Sequence, residues 1–169
     1  ANPDYVYFLC GKNSNASFFG LYRSDNSGQS FNLQANSPNI FAYDMTGSDT
    51  DSGQSWYDMA LTVSPVDAEE IYIGGINVWK SIDGGLNYTI KTHWVYPPSV
   101  AYVHADIHTL EYIGNRLYCG SDGGIFVSTN GGNNFTDLSS GLNITQFYSI
   151  GGSEQVPNKI IGGTQDNGT

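Results

Sequence analysis

The sequence predicts an all-β fold built from short strands and tight turns. Its 169 residues include 21 glycines and six prolines, and Ser, Thr, Asn and Asp separate short runs rich in Tyr, Phe and Ile. This composition is typical of strands joined by frequent turns. No sustained stretch shows the 3.6-residue apolar period of an amphipathic helix, so we predict no substantial helix. The length suits one domain with its own core.

A unit of short strands recurs along the chain. Each unit has a strand ending at glycine, a loop, a second strand, an eight-residue turn and a third strand, and a further strand leads to the next unit. The first strands begin at Val6, Ile71, Leu117 and Ile160. The later units repeat after about 45 residues, which with four short strands per repeat is the signature of β-propeller blades.

The repeats predict a β-propeller segment of about three four-stranded blades within a larger propeller. Blade 1 covers about residues 1–56, blade 2 about 57–103, blade 3 about 104–145, and a fourth blade starts at about 146–169. The irregular stretch Gln34–Ser55 is predicted to be a long surface loop. Because an open arc of blades leaves sheet faces uncovered, we expect the remainder of the propeller, or a partner chain, to cover them.

The eight-residue turns share the pattern Ser-x-Asp/Asn-x-Gly-x-x-aromatic. The third residue can accept backbone hydrogen bonds within its own turn, the glycine supplies a positive φ, and the aromatic residue packs between layers. Acidic turns can bind Ca²⁺, but two of the three carry Asn in place of Asp, so we predict a structural role. The pattern residues are Ser24, Asn26, Gly28 and Phe31, then Ser81, Asp83, Gly85 and Tyr88, then Ser128, Asn130, Gly132 and Phe135.

These turns resemble the Asp-box, also called the BNR repeat. The wider chain is similar to the sortilin-like and xyloglucanase-like propellers of secreted proteins, chiefly in Gln54–Asp58, His104–His108 and Ile160–Gly168. Ser121–Gly124 with Ile144–Tyr148 carries the same resemblance. It implies a secreted or cell-surface protein, and we expect no cofactor. Asn-x-Ser/Thr acceptor sequences at Asn15, Asn87, Asn134 and Asn143 are compatible with secretion.

The charge of the chain indicates which classes of partner to expect, and its cysteines indicate whether a disulfide forms. The formal net charge is −10, with six basic residues, so the surface repels phosphate backbones and we expect no nucleic-acid partner. A cation, a sugar or another protein suits this charge better. No apolar run approaches the roughly 18 residues of a membrane span. Cys10 and Cys119 each precede a glycine and are predicted to occupy equivalent places in different repeats, as buried free thiols.

One rim of the propeller is predicted to collect the ligand-binding residues. In a four-stranded blade, the start of the innermost strand and the loop between the next two strands open on one face, opposite the eight-residue turns. A glycan or a protein is the expected ligand. The innermost strands contribute Tyr57, Asp58, His104, Asp106, His108, Gln146 and Tyr148, and the other loops contribute Asn77, Asp122, Gln165, Asp166 and Asn167.

His104, Asp106 and His108 alternate in sequence. If this segment is extended, all three side chains point to one side, and two imidazoles with a carboxylate can bind a transition metal. A hydrogen-bonded network in a polar channel and direct ligand contact are the alternatives. We favour the network and therefore expect no metal.

Binding or assembly without catalysis is the function that the sequence favours. Because xyloglucanase-like relatives use a pair of acids, a glycoside hydrolase is the first alternative. The candidate general acid and base are Asp58, Asp106, Asp122 and Asp166. Sialidases also carry Asp-boxes but need an arginine cluster, and this chain has only Arg23 and Arg116. An assembly factor is the second alternative, because such propellers also resemble photosystem assembly proteins.

Overall fold

The computed structural model describes residues 1–96, 99–142, 145–156 and 158–165. All regular secondary structure in these ranges is β-strand, and none of it is a helix of the length and apolarity that crossing a membrane requires. The chain forms two compact units, Ala1–Leu138 and Ser139–Thr169. The all-β prediction is confirmed.

Three antiparallel sheets hold most strands of the first unit. The strands are β1 (Val6–Gly11), β2 (Phe18–Ser24), β3 (Asn32–Ala35), β4 (Ala60–Val63), β5 (Ile71–Gly74), β6 (Val78–Ser81), β7 (Thr89–Ile90), β8 (Thr92–His93), β9 (Ala101–Tyr102), β10 (Ile107–Ile113), β11 (Arg116–Ser121), β12 (Gly124–Ser128) and β13 (Thr136–Asp137). The first sheet has the order β1-β2-β3, the second β4-β5-β6-β7 and the third β10-β11-β12-β13. Two successive four-stranded meanders are the blades of a propeller.

The short strands β8 and β9 form a separate parallel pair between the second and third sheets in sequence. This pair was not predictable from alternation, because two-residue strands carry no periodic signal. In the second unit, β14 (Phe147–Gly152) and β15 (Ile160–Thr164) form an antiparallel hairpin. The blade boundaries predicted from the sequence stay a prediction.

The three sheets of the first unit share one register. Val6, Ile71 and Leu117 each pair with the serine that opens the following eight-residue turn. The register therefore makes these three residues equivalent. It also makes Phe8 equivalent to Ile73 and to Cys119, because each lies two residues further along its strand.

The register corrects one prediction about the cysteines. Cys119 is level with Phe8, so Cys10 lies two residues beyond the equivalent place and the two cysteines are not equivalent. Both are free thiols, as predicted, but Cys10 is only partly buried, so the prediction of burial is wrong for it. Cys119 is fully buried, and this burial raises the pKa of its thiol to about 12.

Two apolar clusters join neighbouring sheets. The first joins Leu9 and Leu21 of the first sheet to Ile71 and Ile73 of the second. The second cluster joins Tyr72, which points to the other face of β5, to residues of the third sheet. The second sheet is therefore buried on both faces, as alternation along a strand allows.

The long segment between β3 and β4 also enters the core. Ile40, Phe41 and Ala42 are fully buried, and the first two belong to the first cluster. The prediction that Gln34–Ser55 is a surface loop is therefore wrong for this part of it. Burial of the Ile40 and Phe41 side chains contributes about 1.5–3 kcal/mol each to the stability of the fold. These contacts attach the segment to the first and second sheets.

The three eight-residue turns contain the same hydrogen bonds. Ser81 Oγ accepts from the Gly85 N–H at 2.9 Å and donates to Asp83 Oδ1 at 2.7 Å. Asp83 Oδ1 also accepts from the Asn87 N–H at 2.9 Å. Equivalent bonds are made by Ser24, Asn26, Gly28 and Ser30 in the first turn and by Ser128, Asn130, Gly132 and Asn134 in the third. Each serine and Asp or Asn therefore satisfies backbone donors that the tight turn leaves unpaired.

The aromatic residues that end the turns differ in their surroundings. Tyr88 packs against the first apolar cluster and Phe135 against the second. Phe31 of the first turn is 42% exposed and touches the ring of Phe8 at a centroid distance of 6.3 Å. The first turn thus has the same local structure but no sheet of the first unit opposite it.

Candidate functional site

Several predicted rim residues of the first unit lie together. We call Gln54, Tyr57, Asp58, Asp106, His108 and Asp122 the rim cluster. The first three precede β4, the next two lie at the start of β10, and Asp122 lies in the turn between β11 and β12. Since β4 and β10 contact each other, their polar starts are brought to one place.

The Asp122 carboxylate is engaged on both oxygens. His108 Nε2 lies 2.7 Å from Oδ1, and the Tyr57 hydroxyl donates to Oδ2 at 3.0 Å. The rings of Tyr57 and His108 also meet edge to face, with centroids 5.0 Å apart. The three side chains therefore fix one another, and the orientation of the Asp122 carboxylate is set by its two neighbours.

The metal-site hypothesis assumed an extended segment from His104 to His108, and the backbone conformation of Asp106 shows that this assumption is wrong. Asp106 has a φ of 65°, in the left-handed region, so the segment from His104 to His108 is not extended and its side chains do not alternate to one side. The Asp106 Oδ1 accepts from Gln54 Nε2 at 2.8 Å, whereas His108 turns to Asp122. The described residues contain no group of three His, Cys, Asp or Glu side chains placed to hold a metal ion.

His104 has a packing role of its own. Its ring lies against Gly123, where any Cβ would collide with it, and its Nδ1 is 3.3 Å from the Ala105 carbonyl oxygen. The glycine in the turn after Asp122 is therefore required by the close approach of this ring.

Asp58 is the most unusual member of the rim cluster. Its side chain is fully buried, and within the described part of the chain neither carboxyl oxygen has a hydrogen-bond partner. Burial, followed by the nearby Asp106 carboxylate, raises the pKa of Asp58 to about 8, against smaller opposing influences of its own backbone N–H and of Gln54. Burial beside a second carboxylate therefore favours the protonated, neutral form of Asp58 well above the pH at which an exposed carboxyl ionises, and the sequence did not predict its burial.

The remaining predicted residues lie elsewhere. Asn77 is fully buried and accepts the Trp94 N–H at 3.3 Å, so it belongs to the interior. Gln146, Tyr148 and Gln165 belong to the second unit, where the Gln165 N–H donates to the Gln146 carbonyl at 3.0 Å. Asp166 and Asn167 lie outside the described residues. Sequence reasoning missed Gln54 as a contact of Asp106, although it stands in the same stretch as Tyr57 and Asp58.

Comparisons with known proteins support the architecture. No protein-family model matches the sequence, and no curated protein shows significant similarity to it. Among solved structures, YCF48 bound to D1 peptide has a TM-score of 0.51 at 15% identity, over 80% of this chain and 36% of that chain. An ancestral GH74 enzyme has a TM-score of 0.44 at 17% identity, over 79% of this chain and 18% of the enzyme. YCF48 from Cyanidioschyzon merolae has a TM-score of 0.43 at 15% identity, over 82% and 38%.

The first of these similarities, together with the successive blades, shows the fold of a β-propeller. At this identity it shows the fold alone. The chain spans about a third of the length of the first structure that it matches. It is therefore comparable with a propeller segment, as the repeats predict.

Proposed function

We propose that this chain is a non-catalytic propeller segment of a secreted or cell-surface protein, which acts in binding or assembly. We place it among the Asp-box, sortilin-like propellers, because three turns carry one pattern and one set of hydrogen bonds. The non-catalytic assignment rests on the surroundings of two rim carboxyls. Asp122 is held by two neighbours and Asp58 is fully buried, whereas acid–base hydrolysis needs two carboxyls that reach a substrate.

Assembly is supported by the face of the first sheet that points away from the second. Phe8 is 59% exposed, although its equivalents Ile73 and Cys119 are fully buried by the preceding sheet. Val6 is exposed too, and its equivalents Ile71 and Leu117 are buried. The first sheet therefore presents a blade face of the same kind, and its fitting occupant is another four-stranded sheet.

This apolar face makes the chain self-associate, because a second copy can cover the side of the first sheet that no other sheet of the described first unit covers. We expect sedimentation velocity to show association that grows with concentration, because exposed apolar patches of this kind mark interaction surfaces. Phe8→Glu should shift the equilibrium to monomer, since it places a charge on that face. The control is Ile82→Glu, an equally apolar and exposed position on the second turn. A wild-type chain that stays monomeric at every concentration would rule out assembly through this face.

A glycoside hydrolase is the second candidate, and one observation favours it. A carboxyl kept neutral beside a second carboxyl is the arrangement that general acid catalysis uses, and Asp58 and Asp106 have it. We expect no release of reducing ends from xyloglucan by the wild-type chain beyond that of a heat-inactivated sample. Turnover that disappears in both Asp58→Asn and Asp106→Asn, but persists in Asp51→Asn, would replace our proposal with hydrolysis.

A further inference from the structure

We propose that a cavity beside Trp56 binds a neutral saccharide. The cavity has a volume of about 560 Å³, within the range of roughly 300–1,000 Å³ that small-molecule sites occupy. One wall is Gly11 at the end of β1 with the loop that follows it as far as Ala16, and the other is formed by Ser55, Trp56 and Met59. This inference assigns a ligand class to the binding part of the proposed function and rests on it.

Trp56 supplies an aromatic surface. Its side chain is 76% exposed, whereas Trp79 is buried, and an exposed indole at a cavity wall offers a flat apolar face to the C–H groups of a sugar ring. The ring contacts that of Tyr57, at a centroid distance of 5.5 Å and an interplanar angle of 48°. Tyr57 is itself fixed by its hydrogen bond to Asp122, so the rim cluster holds the platform in place.

Both walls supply neutral polar groups. Asn13 and Ser14 are exposed at the tip of the loop, and Ser55 adds a second hydroxyl from the wall of Trp56. Asn15 orders the loop instead, because its Oδ1 accepts from the Ser17 N–H and hydroxyl. Amides and hydroxyls both donate and accept hydrogen bonds, which matches the hydroxyl groups of a sugar. Lys12 is the one charged group among the described residues that line the cavity. A single cation in a protein of net charge −10 does not attract an anionic ligand, so the fitting saccharide is neutral.

Hydrogen bonds fix the two walls relative to each other. The Ser55 N–H donates to the Ala16 carbonyl at 3.1 Å, and Asn15 Nδ2 donates to the Thr50 carbonyl at 3.3 Å. The loop is closed by the Lys12 N–H, which donates to the Ser17 carbonyl at 2.7 Å. A wall that is already ordered loses little entropy when a ligand binds. The cavity is therefore a formed site in the unliganded chain.

The test is titration of the purified 169-residue chain with uncharged oligosaccharides of glucose, mannose and xyloglucan, followed by tryptophan fluorescence and calorimetry. We expect saturable binding of at least one of them. Trp56→Ala should lower its affinity about tenfold or more, and Trp56→Phe should retain part of it. The matched control is Trp94→Ala, which removes another exposed indole far along the chain and should leave affinity unchanged. Circular dichroism checks that each variant is folded.

Asn13→Ala provides a second, independent reading, because it changes the polar wall at an exposed loop tip without touching the core. It should weaken binding while the fluorescence of Trp56 is retained. Failure of all the neutral saccharides to bind, equal loss in the Trp56 and Trp94 variants, or binding of polygalacturonate alone would overturn the saccharide site. If self-association through Phe8 persists in that case, the assembly function stands and only the ligand assignment falls.

Discussion

Asp58→Asn should stabilise the protein at pH 8 and flatten its stability between about pH 4 and pH 8. In the folded state, burial and Asp106 raise the pKa of Asp58 to about 8 from its usual 3.8. Between these two values the folded chain keeps a proton that the unfolded chain has released. Stability therefore falls as pH rises through this window, is highest below the unfolded pKa and levels off above the folded one.

Asparagine removes this dependence because it cannot ionise. Its amide resembles the neutral carboxyl in size and still carries a donor that can face Asp106. A shift of one pKa unit corresponds to about 1.4 kcal/mol, and relaxation around the charge reduces the full sum, so we expect a gain of about 2 kcal/mol or more at pH 8. Near pH 4 the variant and the wild type should be nearly equal.

Urea unfolding at a series of pH values measures this effect. Asp44→Asn is a control of opposite sign, because hydrogen bonds from Thr46, Ser48 and Asp49 lower the pKa of Asp44 to about 2 despite its partial burial. The wild-type stability due to Asp44 is present above pH 4 and is lost as pH falls towards 2, so that variant should be less stable than the wild type by a constant amount above pH 4 and should approach it as pH falls towards 2. A wild-type stability that rises between pH 5 and pH 8 would show that Asp58 is ionised in the fold.

The burial of Asp58 illustrates what the sequence could not predict. The strands and the three turns were readable, because alternation and the Ser-x-Asp/Asn-x-Gly pattern are local. Asp58 is buried where the segment before β4, with Ile40 and Phe41 in the core, follows no period. The position of such a segment depends on packing against distant residues, which a pattern within a short window does not contain.

Most members of the rim cluster were predictable from the sequence, but the contacts among them were not. Tyr57, Asp58, Asp106, His108 and Asp122 were all expected at one rim, and the structure brings them together. Their contacts depend on one residue, because the positive φ of Asp106 turns the chain and separates His104 from His108. The cavity at Trp56 was missed for a related reason: its walls come from segments about 40 residues apart. An exposed Trp next to Tyr57 and an Asn-Ser-Asn tip were the available signals.

Alanine at the three equivalent turn glycines should destabilise the chain to three different degrees. All three have a positive φ, of 84° at Gly28, 92° at Gly85 and 79° at Gly132, so each alanine meets a backbone strain of about 1 kcal/mol. A Cβ at Gly85 would collide with Leu21 of the first sheet. A Cβ at Gly132 would lie 3.2 Å from Tyr72 Cε1 of the second sheet, and one at Gly28 would meet nothing within 4 Å.

The expected order of destabilisation is therefore Gly85→Ala, then Gly132→Ala, then Gly28→Ala. Overpacking adds about 1–3 kcal/mol to the strain, so Gly85→Ala should lower the free energy of unfolding by about 3 kcal/mol and Gly28→Ala by about 1 kcal/mol. Gly114→Ala measures strain alone, because its φ is 63° and a Cβ there meets nothing within 4 Å. Denaturant unfolding of the four variants at one pH gives the comparison.

Gly28→Ala is expected to be the least destabilising of the three substitutions because no neighbouring sheet in the described part of the chain packs on the first turn. Gly85 and Gly132 are constrained because each turn packs on the sheet before it, and no sheet of the described first unit lies opposite Gly28. When another sheet covers the face that holds Phe8, the same alanine should become costly and weaken association. Equal destabilisation by Gly28→Ala and Gly85→Ala in the monomeric chain would contradict this account, since it would mean that the first turn is already packed.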